Sequence, residues 1–244
     1  MSQQTMIENP DGTVLVNYDD TRQHQKYVQA GGTRVRGVTT IINEFWGGNK
    51  QVLINWAIKE CQAGRDPMKV RDKAATIGSC LHFINECHIM SALTGKTHIP
   101  NKAQFSPEMW DKAENAYIAF LDFEKEKKIR WMDSEKMLIS ELAPYGGTLD
   151  ALAVVDDKFT LVDFKTSSGI YDEMRFQAVA YHQLCLEHGI VPEQIIIVQF
   201  GKEDGKFHHD TIIPGTADYN YFRAVWECLL NIETLKRGRD SAKR

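Results

Sequence analysis

The stretch GGTLD (146–150), ALAVV (151–155), DD (156–157), KFTLV (158–162) and DFK (163–165) reads as two strands folded back on each other through a two-residue turn. With Asp156-Asp157 as the turn, Val155 pairs with Lys158. Counting back along both strands sets Asp150 opposite Asp163, with Cβ atoms about 5 Å apart. Facing carboxylates repel, so the pair asks for a cation between them, and a hard divalent ion bound through oxygen, Mg²⁺ or Mn²⁺, fits that demand. Side chains alternate along a strand, so Asp163 and Lys165 share one face while Val162 and Phe164 turn the other way, into a core. An ammonium group beside the ion can hold an attacking water and offset charge that builds on a phosphorus centre. A three-residue turn would shift the pairing by one and leave the carboxylates diagonal. Taken alone, D-x-K is common, and a turn aspartate followed by an exposed charge ladder gives the same pattern. The set is narrowed by Gln177 and Tyr181, which lie i, i+4 on one helical face with small residues between them that let the helix lie close to a sheet.

Working outward, the order after Trp131 is three strands (MLISEL, TLDALAVV, FTLVDFK), a helix over 172–188, two strands (QIIIVQF, FHHDTII) and a last helix to about Leu235. That order gives an α/β fold with a central mixed β-sheet flanked by helices. Upstream, TVLVNYD (13–19) alternates as a strand, and KYVQAGGTRVRG (26–37) reads as an N-terminal β-hairpin turning at Gly31-Gly32. Apolar residues three and four apart from Thr39 to about Lys127 predict a helical layer. The expectation is one domain over 1–244: a hairpin and helical part (1–130), a sheet core (131–236) and a basic tail (237–244). The tail lacks apolar contacts and reads as a frayed, solvated terminus or a phosphate-contacting arm.

Acidic residues (33) outnumber Lys and Arg (29), for a net charge of −4. This argues against coating nucleic acid through bulk charge, but leaves room for a local basic groove. Arg34, Arg36, Trp46, Lys50, Lys59, Arg71 and Lys73 supply the residue types that phosphates and bases require, and equally those of a solvated helix face. Apolar runs fall short of a membrane span and the polar N-terminus has no apolar h-region, so a cytoplasmic protein is expected, with no membrane partner. Five cysteines, without a CxxC pair, fit neither a disulfide framework nor an ordinary zinc or iron–sulfur site.

GGTLD (146–150), DFK (163–165) and QAVAY (177–181), in this order, resemble the PD-(D/E)XK nuclease superfamily in its RecB-like exonuclease branch, which includes bacteriophage exonucleases, CRISPR-associated nucleases and the mitochondrial genome maintenance exonuclease. Upstream, Ala74-Ala75-Thr76-Ile77-Gly78-Ser79-Cys80-Leu81-His82 matches that branch's A-A-x-x-G-x-x-x-H helix. VRGVTTIINEFWGG (35–48) and VLINWA (52–57) look like the N-terminal segment of phage members, whose helical layer partly roofs the site. The resemblance implies a restriction-endonuclease-like core. It also implies a metal held by Asp150, Asp163, the backbone carbonyl of Phe164 and His82, with Lys165 positioning water and Gln177 and Tyr181 orienting the site. A lone helical histidine is otherwise a packing residue. Gly78, a poor helix former, lies one turn before it and suggests that something approaches the helix closely there. Glu141 is either an accessory acid or a solvent-facing strand end.

The implied activity is Mg²⁺- or Mn²⁺-dependent hydrolysis of DNA from an end, leaving a 5′-phosphate and a 3′-hydroxyl, in phage-type DNA processing or recombination. No iron–sulfur cluster is implied. GxxxxGK[ST] is absent, so a helicase, like a recombinase or single-strand-binding protein, would be a separate chain. The alternatives are a structure- or site-specific endonuclease, a catalytically silent nucleic-acid-binding module, and an α/β scaffold with a surface charge ladder.

Overall fold

Two aspartates make the central turn. Asp156 and Asp157 hold φ of 49° and 63°, the left-handed pair that a type I′ hairpin requires and that aspartate tolerates better than most residues. Val155 pairs with Lys158, and the register runs to Ala151 opposite Val162, as the sequence predicts. The structure is a computed structural model that describes residues 5–19, 26–48 and 50–242.

The fold is mixed α/β, with two mixed sheets flanked by helices. In chain order its elements begin with β1 (Met6–Glu8), β2 (Val14–Val16), β3 (Tyr27–Val28), β4 (Arg34–Gly37), α1 (Val38–Phe45), α2 (Lys50–Gln62), α3 (Pro67–Thr94) and β5 (His98–Pro100). They continue with α4 (Pro107–Glu126), β6 (Arg130–Ile139), β7 (Tyr145–Val155), β8 (Lys158–Lys165), α5 (Asp172–Glu187), β9 (Gln194–Phe200), β10 (Phe207–Ile212) and α6 (Ala217–Ser241). The larger sheet runs β10-β9-β8-β7-β4-β3, with β6 also on β7, and the smaller runs β1-β2-β5.

The pairing of β7 creates a fork. Along one edge β7 meets β6, from Gly146 opposite Ile139 to Val154 opposite Arg130. Gly146 also pairs with Gly37 of β4, so β4 occupies the other edge, the one that β8 uses from Ala151 onward. Between those two partners, residues 147–150 face an opening in the sheet. Asp150 stands at its rim.

Both sheet faces are covered. Leu149, Leu152 and Leu161 pack with residues of α1, α5 and α6, while Ala151, Ala153, Val155, Val162 and Phe164 pack with residues of α3 and α4 such as Leu81, Phe120 and Phe123. Helix α3 starts where Asp66 accepts hydrogen bonds from the N–H groups of Met68 and Lys69 with Pro67 at the first position, and ends at left-handed Gly95. These caps fix its register over the sheet, and with it the place of His82. Among the described residues no helix is long and apolar enough to cross a membrane.

Three expectations are corrected. The helical region is interrupted by β5, which pairs in parallel with β2. The strand expected over 13–19 shrinks to Val14–Val16. Of the basic tail, residues 237–241 are helical rather than frayed, with Arg237 donating to the Arg34 carbonyl at 2.7 Å, and residues 243–244 lie outside the described residues.

Candidate metal centre

Asp150 projects into the fork. Its Oδ2 accepts a hydrogen bond from the Phe164 N–H at 2.7 Å, and its Oδ1 lies 3.4 Å from Nδ1 of His82. In an extended strand a residue's N–H and C=O leave by the same edge, so the Phe164 carbonyl faces the fork too. Across β7, the register that sets Ser134 opposite Ala151 and Lys136 opposite Leu149 sets Glu135 beside Asp150. Glu135 holds a left-handed φ of 50°. His82, Glu135 and Asp150 each offer a ligand atom, and these lie within 4.8 Å of one another.

Asp163 lies next to this trio without belonging to it. Its Oδ2 is 2.5 Å from the Lys165 ammonium and its side chain is 1% exposed. Neither carboxylate oxygen makes a hydrogen bond among the described residues. Lys165 offsets its charge, but a buried carboxylate whose oxygens lack well-directed hydrogen bonds keeps lone pairs open to a further cation. Carboxylate oxygens are hard donors and imidazole nitrogen a borderline one, and this set fits a divalent cation.

The charges are strongly coupled. Burial opposes the charged form of Asp150, but His82, Lys165 and the Phe164 N–H outweigh it and hold this carboxyl below its usual range. Burial pushes Asp163 up to about 6, against the pull of Lys165 and with repulsion from Asp150 adding to the rise. For His82, burial disfavours the imidazolium, yet Asp150 and Glu135 prevail and raise it to about 9.

Glycines admit the aromatic walls. A Cβ on Gly147 would lie 2.4 Å from Cε1 of Tyr181, and one on Gly146 would lie 2.8 Å from Cγ of Tyr27. Tyr181 comes from α5, where Ala178, Val179 and Ala180 are fully buried, and its hydroxyl accepts from Gln177 Nε2 at 2.9 Å. Burial, then the nearby Asp163 and Asp150, raise the phenol well above its ordinary value. The expected close approach at Gly78 is Thr166: a Cβ there would lie 2.9 Å from its Oγ1. A cavity of about 440 Å³ opens above the trio, lined by Tyr18, Tyr27, Thr39, Ser79, His82, Glu135, Thr148, Asp150 and Tyr181 among others.

The structure thus brings His82, Asp150, Asp163, Phe164, Lys165, Gln177 and Tyr181 to one region. Others fall elsewhere. Glu141 is exposed and accepts from the Ala30 N–H at 2.8 Å, tying the N-terminal hairpin to the end of β6. Arg36 pairs with Glu44 and, at 3.2 Å, with Glu233; Arg71 pairs with Asp72 at 2.7 Å; Lys73 pairs with Glu108 at 2.5 Å. Trp46 packs edge-on against Phe176, with ring centroids 4.7 Å apart. Arg34, Lys50 and Lys59 are exposed, and none of these residues lines the cavity. Sequence reading missed Glu135, whose only signal was its register on β6, and the cavity residues Tyr27 and Thr39.

No family model and no curated protein matches this chain. Among solved structures it is similar to an alkaline exonuclease from Laribacter hongkongensis, with 18% identity over 63% of this chain and 82% of the other and a TM-score of 0.34. A structure of that exonuclease in complex with dAMP aligns over 70% of this chain and 91% of its own, with 18% identity and a TM-score of 0.30. A likeness at that level assigns nothing, and the chemistry rests on the site itself.

Proposed function

We propose that this chain is a divalent-metal-dependent deoxyribonuclease that hydrolyses DNA phosphodiester bonds from an end, leaving a 5′-phosphate and a 3′-hydroxyl. One observation carries the reading: His82, Glu135 and Asp150 converge within 4.8 Å, beside a buried carboxylate, Asp163, faced by the Lys165 ammonium at 2.5 Å. His82, Glu135 and Asp150 would hold the ion, with Asp163 and the Phe164 carbonyl as further ligands. When bound, it supplies Lewis-acid polarisation of a phosphate and lowers the pKa of a water toward ~7.

The chain's own groups do the rest. Asp163 holds the Lys165 ammonium in place, so a fixed positive charge stands where negative charge accumulates on the phosphate in the transition state. The Phe164 N–H fixes the rotamer of Asp150. Gln177 donates to the Tyr181 hydroxyl, leaving that hydroxyl's proton directed elsewhere, where it can orient substrate or water. Asp163 and Lys165 are contributed by one strand and Asp150 by its neighbour, so hairpin geometry alone sets their spacing. DNA processing or recombination of the phage type is the setting proposed, with any motor, recombinase or single-strand-binding protein on a separate chain.

The test is end-labelled linear DNA, single- and double-stranded, incubated with Mg²⁺ or Mn²⁺ beside a covalently closed circle. Loss of label from linear DNA with the circle intact is expected. Cutting of the circle would replace the exonuclease reading by an endonuclease one. No cleavage with either metal would leave a nucleic-acid-binding module at most.

A further inference from the structure

The β3–β4 hairpin sends one side chain into the cavity. Tyr27 sits in a slot emptied by two glycines on different strands: a Cβ on Gly37 would lie 3.0 Å from its Cε2, and one on Gly146 would lie 2.8 Å from its Cγ. The ring therefore lies against backbone at two glycines: a side chain at Gly146 would displace it, and one at Gly37 would crowd it. Its hydroxyl reaches Thr148 Oγ1 at 3.3 Å, about half an ångström longer than the usual O–H···O contact of ~2.8 Å. Either hydroxyl can be the donor in that contact; with Thr148 donating, the phenol's single O–H is left to donate elsewhere from a ring that is otherwise fixed.

The cavity lining combines two chemistries. His82, Glu135 and Asp150 are acidic overall and suited to a cation. The hydroxyls of Tyr27, Thr39 and Thr148 line the same space and are neutral donors suited to an anion. A nucleic-acid strand brings phosphates past the scissile one, and each needs a donor that does not compete with the metal ligands. We propose, building on the nuclease reading above, that Tyr27 is a substrate-binding residue whose hydroxyl donates to a non-bridging phosphate oxygen of the DNA strand. Packing alone would require the ring and not the oxygen, so Tyr27→Phe separates the two roles: it keeps the ring over Gly37 and Gly146 and removes the hydroxyl.

Two measurements test it. In steady-state cleavage of a labelled oligonucleotide, Tyr27→Phe should raise KM about tenfold, the size of one hydrogen bond to a charged group, with kcat within about twofold. In the Lys165→Ala background, which retains every metal ligand, the same substitution should weaken oligonucleotide binding, read by fluorescence anisotropy, by the same factor. Melting temperature and Mn²⁺ affinity should stay unchanged. An unaltered KM and an unaltered binding constant would overturn the proposal, as would a fall in Mn²⁺ affinity, which would show Tyr27 acting through the strand that carries Asp150. A protein that binds the oligonucleotide in a Tyr27-dependent way but never cleaves it would sink the nuclease reading alone. A protein that binds none would sink both.

Discussion

Asp163 is the side chain where burial and charge conflict most directly. Its carboxyl is raised to about 6 by burial, so in the metal-free protein the charged form is a liability at neutral pH. Asp163→Asn is expected to raise the melting temperature of the metal-free protein at pH 7.5 and to abolish metal-dependent cleavage; a variant that still cuts contradicts the assignment. Lys165→Ala should lower turnover by about 10² to 10³ if the ammonium is a preorganised cation, a loss that single-turnover kinetics would measure. His82 supplies the pH dependence. Its folded value of about 9 lies above the ordinary 6.5, so its contribution is full below pH 6.5 and vanishes as pH rises through 9. The melting-temperature gap between wild type and His82→Gln, both without metal, should therefore shrink across that window; a constant gap would mean that Asp150 does not hold the imidazolium. Glu135 stayed hidden in the sequence because no motif marks it. It reaches the site through a left-handed backbone on a strand whose first half carried no alternation signal.

At the scale of elements, the hairpin was legible and the packing around it was not. Turn chemistry and strand alternation are local, so Asp156-Asp157 and the register that follows could be counted directly. What the glycines at 146 and 147 accommodate could not, because the two tyrosines come from β3 and α5, far away in the chain. Gly147→Ala places a methyl 2.4 Å from Tyr181 Cε1, which should cost about 1–3 kcal/mol as overpacking and lower the melting temperature. Gly31→Ala, with nothing within 4 Å, should leave it unchanged. Equal effects at both positions would deny the Tyr181 wedge. Strand β5 escaped notice for the same reason of distance, since three residues gain strand character only by pairing with β2. The last helix was undercut because its final turns are held by ion pairs to Glu44 and Glu233, which hydrophobic periodicity does not report.

At the scale of the whole molecule, a sheet covered on both faces by helices opens, among the described residues, at a place where backbone pairing lapses inside the sheet and charge collects. That place is the fork between β4 and β8 along β7, and the carboxylates gather there. N-terminal residues Tyr18, Tyr27 and Thr39 line the cavity beside it, so a chain with a net charge of −4 gathers Glu135 and Asp150 beside His82 in one cavity, where a divalent ion would be the compensating partner. An ion that binds only the folded chain adds RT ln(1 + [ion]/Kd), about 2.7 kcal/mol at a hundredfold excess. Calorimetric titration of Mn²⁺ into wild type and Asp150→Asn at pH 8 tests this most directly. Saturable binding to wild type, lost in Asp150→Asn while the variant keeps its fold, is the predicted result; heats no different from dilution in the wild-type protein would contradict the account.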